Sequence, residues 1–228
     1  MFANISCKAL LTAFLVSISF LANAQDMKVG EIYRGSLRLS TGLGGIVLPL
    51  PAADWKLLSL DESRKAHVDY NIPLTSGSLV SLDLDRDRKQ IKSLIAFWFA
   101  STGTMNGGWE IPPLCSDSEQ YYTYKHDQNR RRRQVRCWGI KLQSVKASPQ
   151  VPPFFIGVTY FWSQGAKGFY ATYYFNPETE GFPPLNAQEW SKQGITADPK
   201  KAQYIDKLKA WGEAWQSNIE RGFAGKML

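Results

Sequence analysis

The segment CSDSEQYYTYKHDQNRRRRQVRC, residues 115–137, joins two strand-rich halves of the chain and holds the only cysteines beyond residue 24. A disulfide between Cys115 and Cys137 would fix the centre of the fold and place a basic loop on one side. An even number of cysteines and an oxidising compartment favour that pairing, and the cross-link would remove chain entropy worth roughly 3 kcal/mol from the unfolded state. The alternatives are a metal site, for which the chain has only two histidines, and a redox pair, whose usual C-x-x-C spacing is absent.

The first 24 residues have the pattern of a secretory signal peptide. Lys8 supplies a positive charge, the run from Ala9 to Ala22 is apolar and almost uncharged, and Ala22-Asn23-Ala24 is a small-x-small cleavage site before Gln25. The apolar run is shorter than the roughly 20 residues that cross a bilayer, so we expect cleavage rather than a membrane anchor. The sequence therefore predicts an exported protein, periplasmic or secreted, with no transmembrane helix in the mature chain.

The composition predicts one basic domain over residues 25–228, a length that suits a single sizeable core. Because Lys8 is the only charged residue of the signal segment, the formal net charge falls from +7 to +6 on cleavage. A basic exported protein suits polyanionic neighbours, although a charge of this size could also serve solubility alone. Export makes nucleic acid an unexpected partner.

Strand signals occupy the chain from about residue 30 to residue 176. The segment from Ile91 to Ala100 is apolar on both faces, which is typical of a central strand. Phe154 to Trp162 and Phe169 to Phe175 flank a short glycine-containing loop and predict an aromatic hairpin. We expect its alternating aromatic stripe to be core, with a sugar-stacking face as the alternative. The charged run from Asp61 to Lys65 is expected to be a turn.

The last part of the chain changes to a helical period. Asn186 and Glu189 match a capping box and predict a short helix from Asn186 to Gln193 that ends at Gly194. Asp198-Pro199 then begins a second helix, whose apolar residues recur at helical spacing from Tyr204 to Phe223. Strands followed by helices predict an α+β fold, in which a mostly antiparallel sheet is covered on one face by C-terminal amphipathic helices and carries one disulfide.

The basic loop is the candidate binding site. Four adjacent arginines are not buried without partners, so they face solvent or a ligand, and guanidinium groups bind anions in a planar, bidentate way. We expect the partner to be an anionic lipid, lipopolysaccharide, an acidic glycan or an acidic protein, and the alternative is a solvated hairpin tip. The candidate anion-binding residues are Lys125, Arg130, Arg131, Arg132, Arg133 and Arg136.

The sequence predicts no catalytic residue, no cofactor and no metal site. Asp83-Leu84-Asp85-Arg86-Asp87 resembles the start of a calcium loop, but Arg88 and Leu94 stand where glycine and glutamate are needed. His67 and His126 belong to no metal or nucleophile motif. We therefore expect a non-catalytic envelope protein. The alternatives are a glycan- or protein-binding module with an exposed aromatic face, and a hydrolase without a recognisable motif.

Overall fold

The computed structural model describes residues 27–39, 45–67, 70–84, 90–100, 104–105, 109–116, 118–129 and 134–226. The predicted signal peptide, residues 1–24, and the four arginines at 130–133 lie outside these ranges. Over the described ranges, no helix has the length and apolar character needed to cross a membrane.

Strands come first and helices last, as the sequence predicts. The strands are β1 (Ile32–Tyr33), β2 (Ser36–Arg38), β3 (Val47–Pro49), β4 (Trp55–His67), β5 (Tyr70–Ser81), β6 (Ser93–Ala100), β7 (Thr104–Met105), β8 (Tyr122–Asn129), β9 (Gln134–Ser144), β10 (Phe154–Gln164) and β11 (Lys167–Phe175). The helices are α1 (Lys192–Ala197) and α2 (Pro199–Phe223), with short 3-10 turns at Pro113–Cys115 and Pro177–Glu180.

The strands form one large antiparallel sheet and one small one. The large sheet has the order β1-β4-β5-β6-β11-β10-β9-β8, with β7 paired to β5, and β2 pairs with β3 separately. Every described strand pair is antiparallel. The prediction of a mostly antiparallel sheet with a C-terminal helix is confirmed.

The predicted aromatic hairpin is β10–β11 at the centre of the large sheet. Gln164 pairs with Lys167, so the turn has two residues, and Gly165 takes a φ of +60° that glycine adopts without strain. The alternating stripe is core, as predicted: Ile156, Val158, Tyr160 and Trp162 are all fully buried.

The segment from Asp61 to Lys65 is not a turn, and that prediction is wrong. It belongs to β4, which runs unbroken to His67 and pairs along its length with β5. In the described part of the chain, β1 pairs only with Trp55 and Lys56, so the rest of β4 has no strand on its outer side. Charged side chains on an edge strand oppose pairing with other molecules, which accounts for a charged run inside a strand.

One face of the large sheet is packed against α2, and we call it the helix side. α2 buries Tyr204, Ile205, Leu208, Ile219 and Phe223 in the same cluster as the sheet residues. The sheet contributes Leu57, Leu79, Ile95, Phe97, Phe99, Trp138, Ile140, Ile156, Val158, Tyr160, Trp162, Phe169, Ala171 and Tyr173. Burial of apolar side chains from both layers is the main stabilising term of such a core.

The predicted helix from Asn186 to Gln193 is wrong in its position. The Asn186 Oδ1 does accept a hydrogen bond from the Glu189 backbone nitrogen at 2.8 Å, but the segment is a turn. α1 begins at Lys192 after Ser191, whose side chain accepts from Gly194, so Gly194 lies inside a helix rather than after one. The Asp198 cap of α2 is confirmed, because its Oδ1 accepts from the Lys200 backbone nitrogen at 2.9 Å.

Candidate functional site

The disulfide predicted between Cys115 and Cys137 is present, with the two Cα atoms 5.6 Å apart. Both cysteines are fully buried, beside Leu114, Val135 and Phe161. The bond attaches the loop before β8 to the face of the large sheet that is opposite the helix side. We call that second face the open side.

The basic segment connects two strands at one end of the large sheet. Asn129 pairs with Gln134, Gln134 with Gln164, and Gln164 with Lys167. These four residues form one row across β8, β9, β10 and β11, and we call this end of the sheet the hairpin end. Arg130–Arg133 are the chain positions between Asn129 and Gln134 and lie outside the described residues.

The β4–β5 hairpin points to the same end. Phe99 near the end of β6 pairs with Thr75 of β5, and Ala100 pairs with Gly168 at the start of β11. β4 and β5 continue beyond Thr75 to the pair His67 and Tyr70. Three hairpins of the large sheet, β4–β5, β8–β9 and β10–β11, therefore point to the hairpin end.

The C-terminus of α2 also reaches the hairpin end, through Lys167. The Lys167 Nζ donates hydrogen bonds to the backbone oxygens of Phe223 and Gly45 and lies 4.6 Å from the centre of the Phe223 ring. A cation here stabilises the negative end of the helix dipole, and burial lowers the pKa of Lys167. The Lys167 amine thereby connects the central hairpin to the last turn of α2.

The structure places the two described members of the candidate anion-binding set on opposite faces. Lys125 pairs with Cys137, so it shares the open side with that cysteine and is exposed. Arg136 pairs with Trp162, so it lies on the helix side and is half-buried. Arg221 and Lys226, which are exposed at the end of α2, add two cations that were not predicted. Cations from both faces thus surround the hairpin end.

The open side carries a second feature, which the sequence did not predict. Ser59 pairs with Ser78, Ser78 with Ala96, and Ala96 with Thr172, so these four side chains stand in one row across β4, β5, β6 and β11. On β6 and β11, larger side chains stand two residues away on both sides of this row. They are Trp98 and Tyr170 on one side and Leu94 and Tyr174 on the other. We call the row and its walls the aromatic trough.

The wall formed by Trp98 and Tyr170 is a stack of rings. Their centroids lie 5.7 Å apart with an interplanar angle of 6°, and Trp109 packs on Trp98 at 5.1 Å. Trp109 is held in turn by a hydrogen bond from its Nε1 to the Ala166 oxygen at 3.3 Å. The contacts fix the orientation of these rings, while both Trp98 and Tyr170 keep part of their surface in solvent.

On the opposite wall, Tyr174 contacts the floor residue Thr172. The Tyr174 hydroxyl hydrogen-bonds the Thr172 side chain, and burial raises the pKa of Tyr174. The Thr172 hydroxyl also lies 2.9 Å from that of Thr159 in the next strand, and both threonines are almost fully buried. The trough is therefore closed at β11 and open from β6 to β4, where Ser59 is exposed and Ser78 and Ala96 are half-buried.

On β9 the open side is covered by the loop that the disulfide attaches. A Cβ on Gly139 would lie 2.9 Å from the Gln120 Oε1 and 3.0 Å from the Leu114 Cδ1, so this loop packs directly on β9. The strand register decides which small residues of the open side form the floor of the trough and which contact the loop. Sequence reasoning missed the trough because its members are spread over four strands.

A separate cleft of about 460 Å³ lies between β9, the loop before β8 and the start of α1. The Lys192 Nζ donates to the Ser118 oxygen, and the Tyr121 hydroxyl donates to the Trp190 oxygen. Glu119 and Lys141, which line the same cleft, also have interaction partners. The two hydrogen bonds connect the loop before β8 with the segment around the start of α1.

The residues described assemble no metal centre. No group of three or more His, Cys, Asp or Glu that could hold a metal ion occurs among them. The structure does not describe the side chains of His67 and His126. The hydrolase alternative therefore stays a prediction. Comparison of the chain with protein-family models, with curated proteins and with solved structures gives no match.

Proposed function

We propose that this protein is an exported, non-catalytic binding protein whose hairpin end contacts an anionic component of the cell envelope. The observation that carries the proposal is the row from Asn129 to Lys167. Because Arg130–Arg133 follow Asn129 directly in the chain, we expect them at the same end of the sheet as the central hairpin and the C-terminus of α2.

Charge at the hairpin end supports this proposal. Four cations lie around it on different elements: Lys125, Arg136, Arg221 and Lys226. The Lys167 amine donates a hydrogen bond to the C-terminus of α2. Cations on both faces of a sheet end suit a broad anionic surface better than a single small anion. Each Lys or Arg held near an anionic bilayer contributes about 1 kcal/mol of attraction.

The test compares the wild type with a variant in which Arg130–Arg133 are all replaced by Gln. Binding is measured to vesicles of neutral phosphatidylcholine, to vesicles that also contain phosphatidylglycerol, and to lipopolysaccharide, at low and at physiological salt. The matched control removes four exposed cations away from the hairpin end, in the variant Lys28→Gln, Lys146→Gln, Lys200→Gln and Lys207→Gln.

We expect the wild type and the control to bind the anionic surfaces in a salt-sensitive way. The arginine variant should lose at least about 100-fold in affinity, because removal of four cations at about 1 kcal/mol each exceeds that factor. Its thermal stability should be unchanged, because we expect these arginines to face solvent and exposed charges contribute little to folding. Equal affinity of the two variants, or no binding by the wild type, would refute the proposal.

A further inference from the structure

The aromatic trough on the open side has the chemistry of a binding site for an uncharged sugar chain, and we propose that it binds a neutral oligosaccharide. This site is distinct from the hairpin end: its residues come from the middle of β4, β5, β6 and β11, and its chemistry is different. The proposal does not depend on the function proposed for the basic segment.

The dimensions of the trough suit a chain of sugar rings. Neighbouring strands are about 4.8 Å apart, so the open span from β4 to β6 is roughly 10 Å, room for about two rings. The walls stand two residues to each side of the floor, which separates the two wall rows by roughly 13 Å along the strands. The Trp98–Tyr170 stack can contact the apolar C–H face of a ring.

The polar groups of the trough match hydroxyl groups rather than charges. Ser59 and Ser78, whose Oγ atoms lie 2.6 Å apart, form the open floor, and hydroxyls both donate and accept hydrogen bonds. Within the open part, from β6 to the floor residues of β4, no ionisable acid or base is present among the wall and floor residues. Lys56 and Asp61 stand only at its outer end, on β4. An uncharged, hydroxyl-rich ligand is therefore complementary to this surface.

Other occupants fit this surface less well. A partner protein or a second copy of this chain would need to fill a concave strip and to satisfy the serine hydroxyls with a polar ridge. An anionic ligand would find no cation on the floor of the trough. A sugar chain supplies apolar ring faces, which suit Trp98 and Leu94, and hydroxyl groups, which suit the serine floor.

The test measures binding of cellohexaose, chitohexaose and maltohexaose to the full mature chain by calorimetry and by tryptophan fluorescence. We expect binding of at least one of these three sugars with a Kd below about 1 mM, unchanged between low and physiological salt. Salt independence separates this site from the hairpin end, whose binding should weaken as salt rises.

Two variants test whether the sugar binds in the trough. Ala96→Leu fills the half-buried floor with a larger side chain, and Ser78→Val removes one floor hydroxyl without removing a core contact. Each should weaken sugar binding at least 10-fold, whereas Tyr124→Ala, which removes a ring exposed on β8, should leave it unchanged.

Circular dichroism and thermal melting show that each variant is folded. Absence of binding to all three sugars at 10 mM, about the weakest affinity that calorimetry detects, would overturn the proposal. Binding that survives both trough variants would overturn it as well. Self-association that Ala96→Leu abolishes, without any sugar binding, would assign the surface to a second copy and would also refute the proposal.

Discussion

Gly212 in the middle of α2 lies directly against the ring of Trp138 on β9. A Cβ at position 212 would lie 2.6 Å from the Trp138 Cζ3, closer than real side chains approach. The Tyr160 hydroxyl donates to the Gly212 oxygen at 2.7 Å, which holds the helix backbone down on the sheet. The glycine that weakens helix propensity at this position is the residue that allows the two layers to meet.

The first prediction concerns this contact. Gly212→Ala should lower the free energy of unfolding by up to about 2 kcal/mol, because overpacking against a buried Trp costs about 1–3 kcal/mol and the propensity gain offsets about 1 kcal/mol. Urea denaturation measures the change. The control is Ala214→Gly on the exposed face of the same helix, which should lose only about 1 kcal/mol. A stabilised Gly212→Ala variant would show that the helix and sheet are less closely packed.

The second prediction concerns the buried disulfide. Replacement of Cys115 and Cys137 by Ser should lower the free energy of unfolding by roughly 3 kcal/mol, because the 22-residue separation closes a loop of moderate length in the unfolded chain. Denaturation of the double variant, with the reduced wild type as the control, measures it. An unchanged denaturation midpoint in both would contradict this account of the cross-link.

The third prediction is loss of stability at high pH. Burial raises the pKa of Tyr160, Tyr173 and Tyr204 well above the ordinary value of 10. The unfolded chain therefore loses these protons first. The stability is complete below about pH 10 and falls as the pH rises above it, by up to about 1.4 kcal/mol per pH unit for each tyrosine.

Denaturation at a series of pH values from about 9 to 12, followed by tyrosinate absorbance and circular dichroism, measures this slope. Tyr173→Phe is the informative variant: it removes a titrating group and the hydrogen bond to the Pro49 oxygen at 2.8 Å. It should be less stable than the wild type near neutrality but should lose stability less steeply with pH. Tyrosinate absorbance that reaches the full value for all the tyrosines before the protein unfolds would argue against buried tyrosines.

The fourth prediction concerns the charged edge of β4. Asp61→Thr with Glu62→Val leaves the pairing with β5 intact but removes two charges from an exposed edge. We expect the variant to self-associate at concentrations where the wild type is monomeric, because an uncharged edge offers free backbone groups to another strand. Analytical ultracentrifugation detects this. As a control, Ser59→Thr keeps the edge charges and should sediment as the wild type does.

Local sequence patterns were sufficient for a correct prediction where a short segment determines its own structure. The β10–β11 hairpin, the Asp198 cap of α2 and the Cys115–Cys137 pair were predictable because alternation, capping and cysteine number act within a few residues or leave one pairing. The run from Asp61 to Lys65 was misjudged because the same charges suit a turn and an edge strand. Its place in the sheet decides between them.

The sequence by itself determined the kinds of element, their order and the antiparallel character of the sheet, because these follow from hydrophobic period and short connections. Only the tertiary structure decided which strands are neighbours and in which register. That register aligns Ser59, Ser78, Ala96 and Thr172 from four strands and brings the hairpin connections to one end. It depends on packing between residues far apart in the chain, as does the close approach of Gly212 to Trp138. No local pattern contains that information.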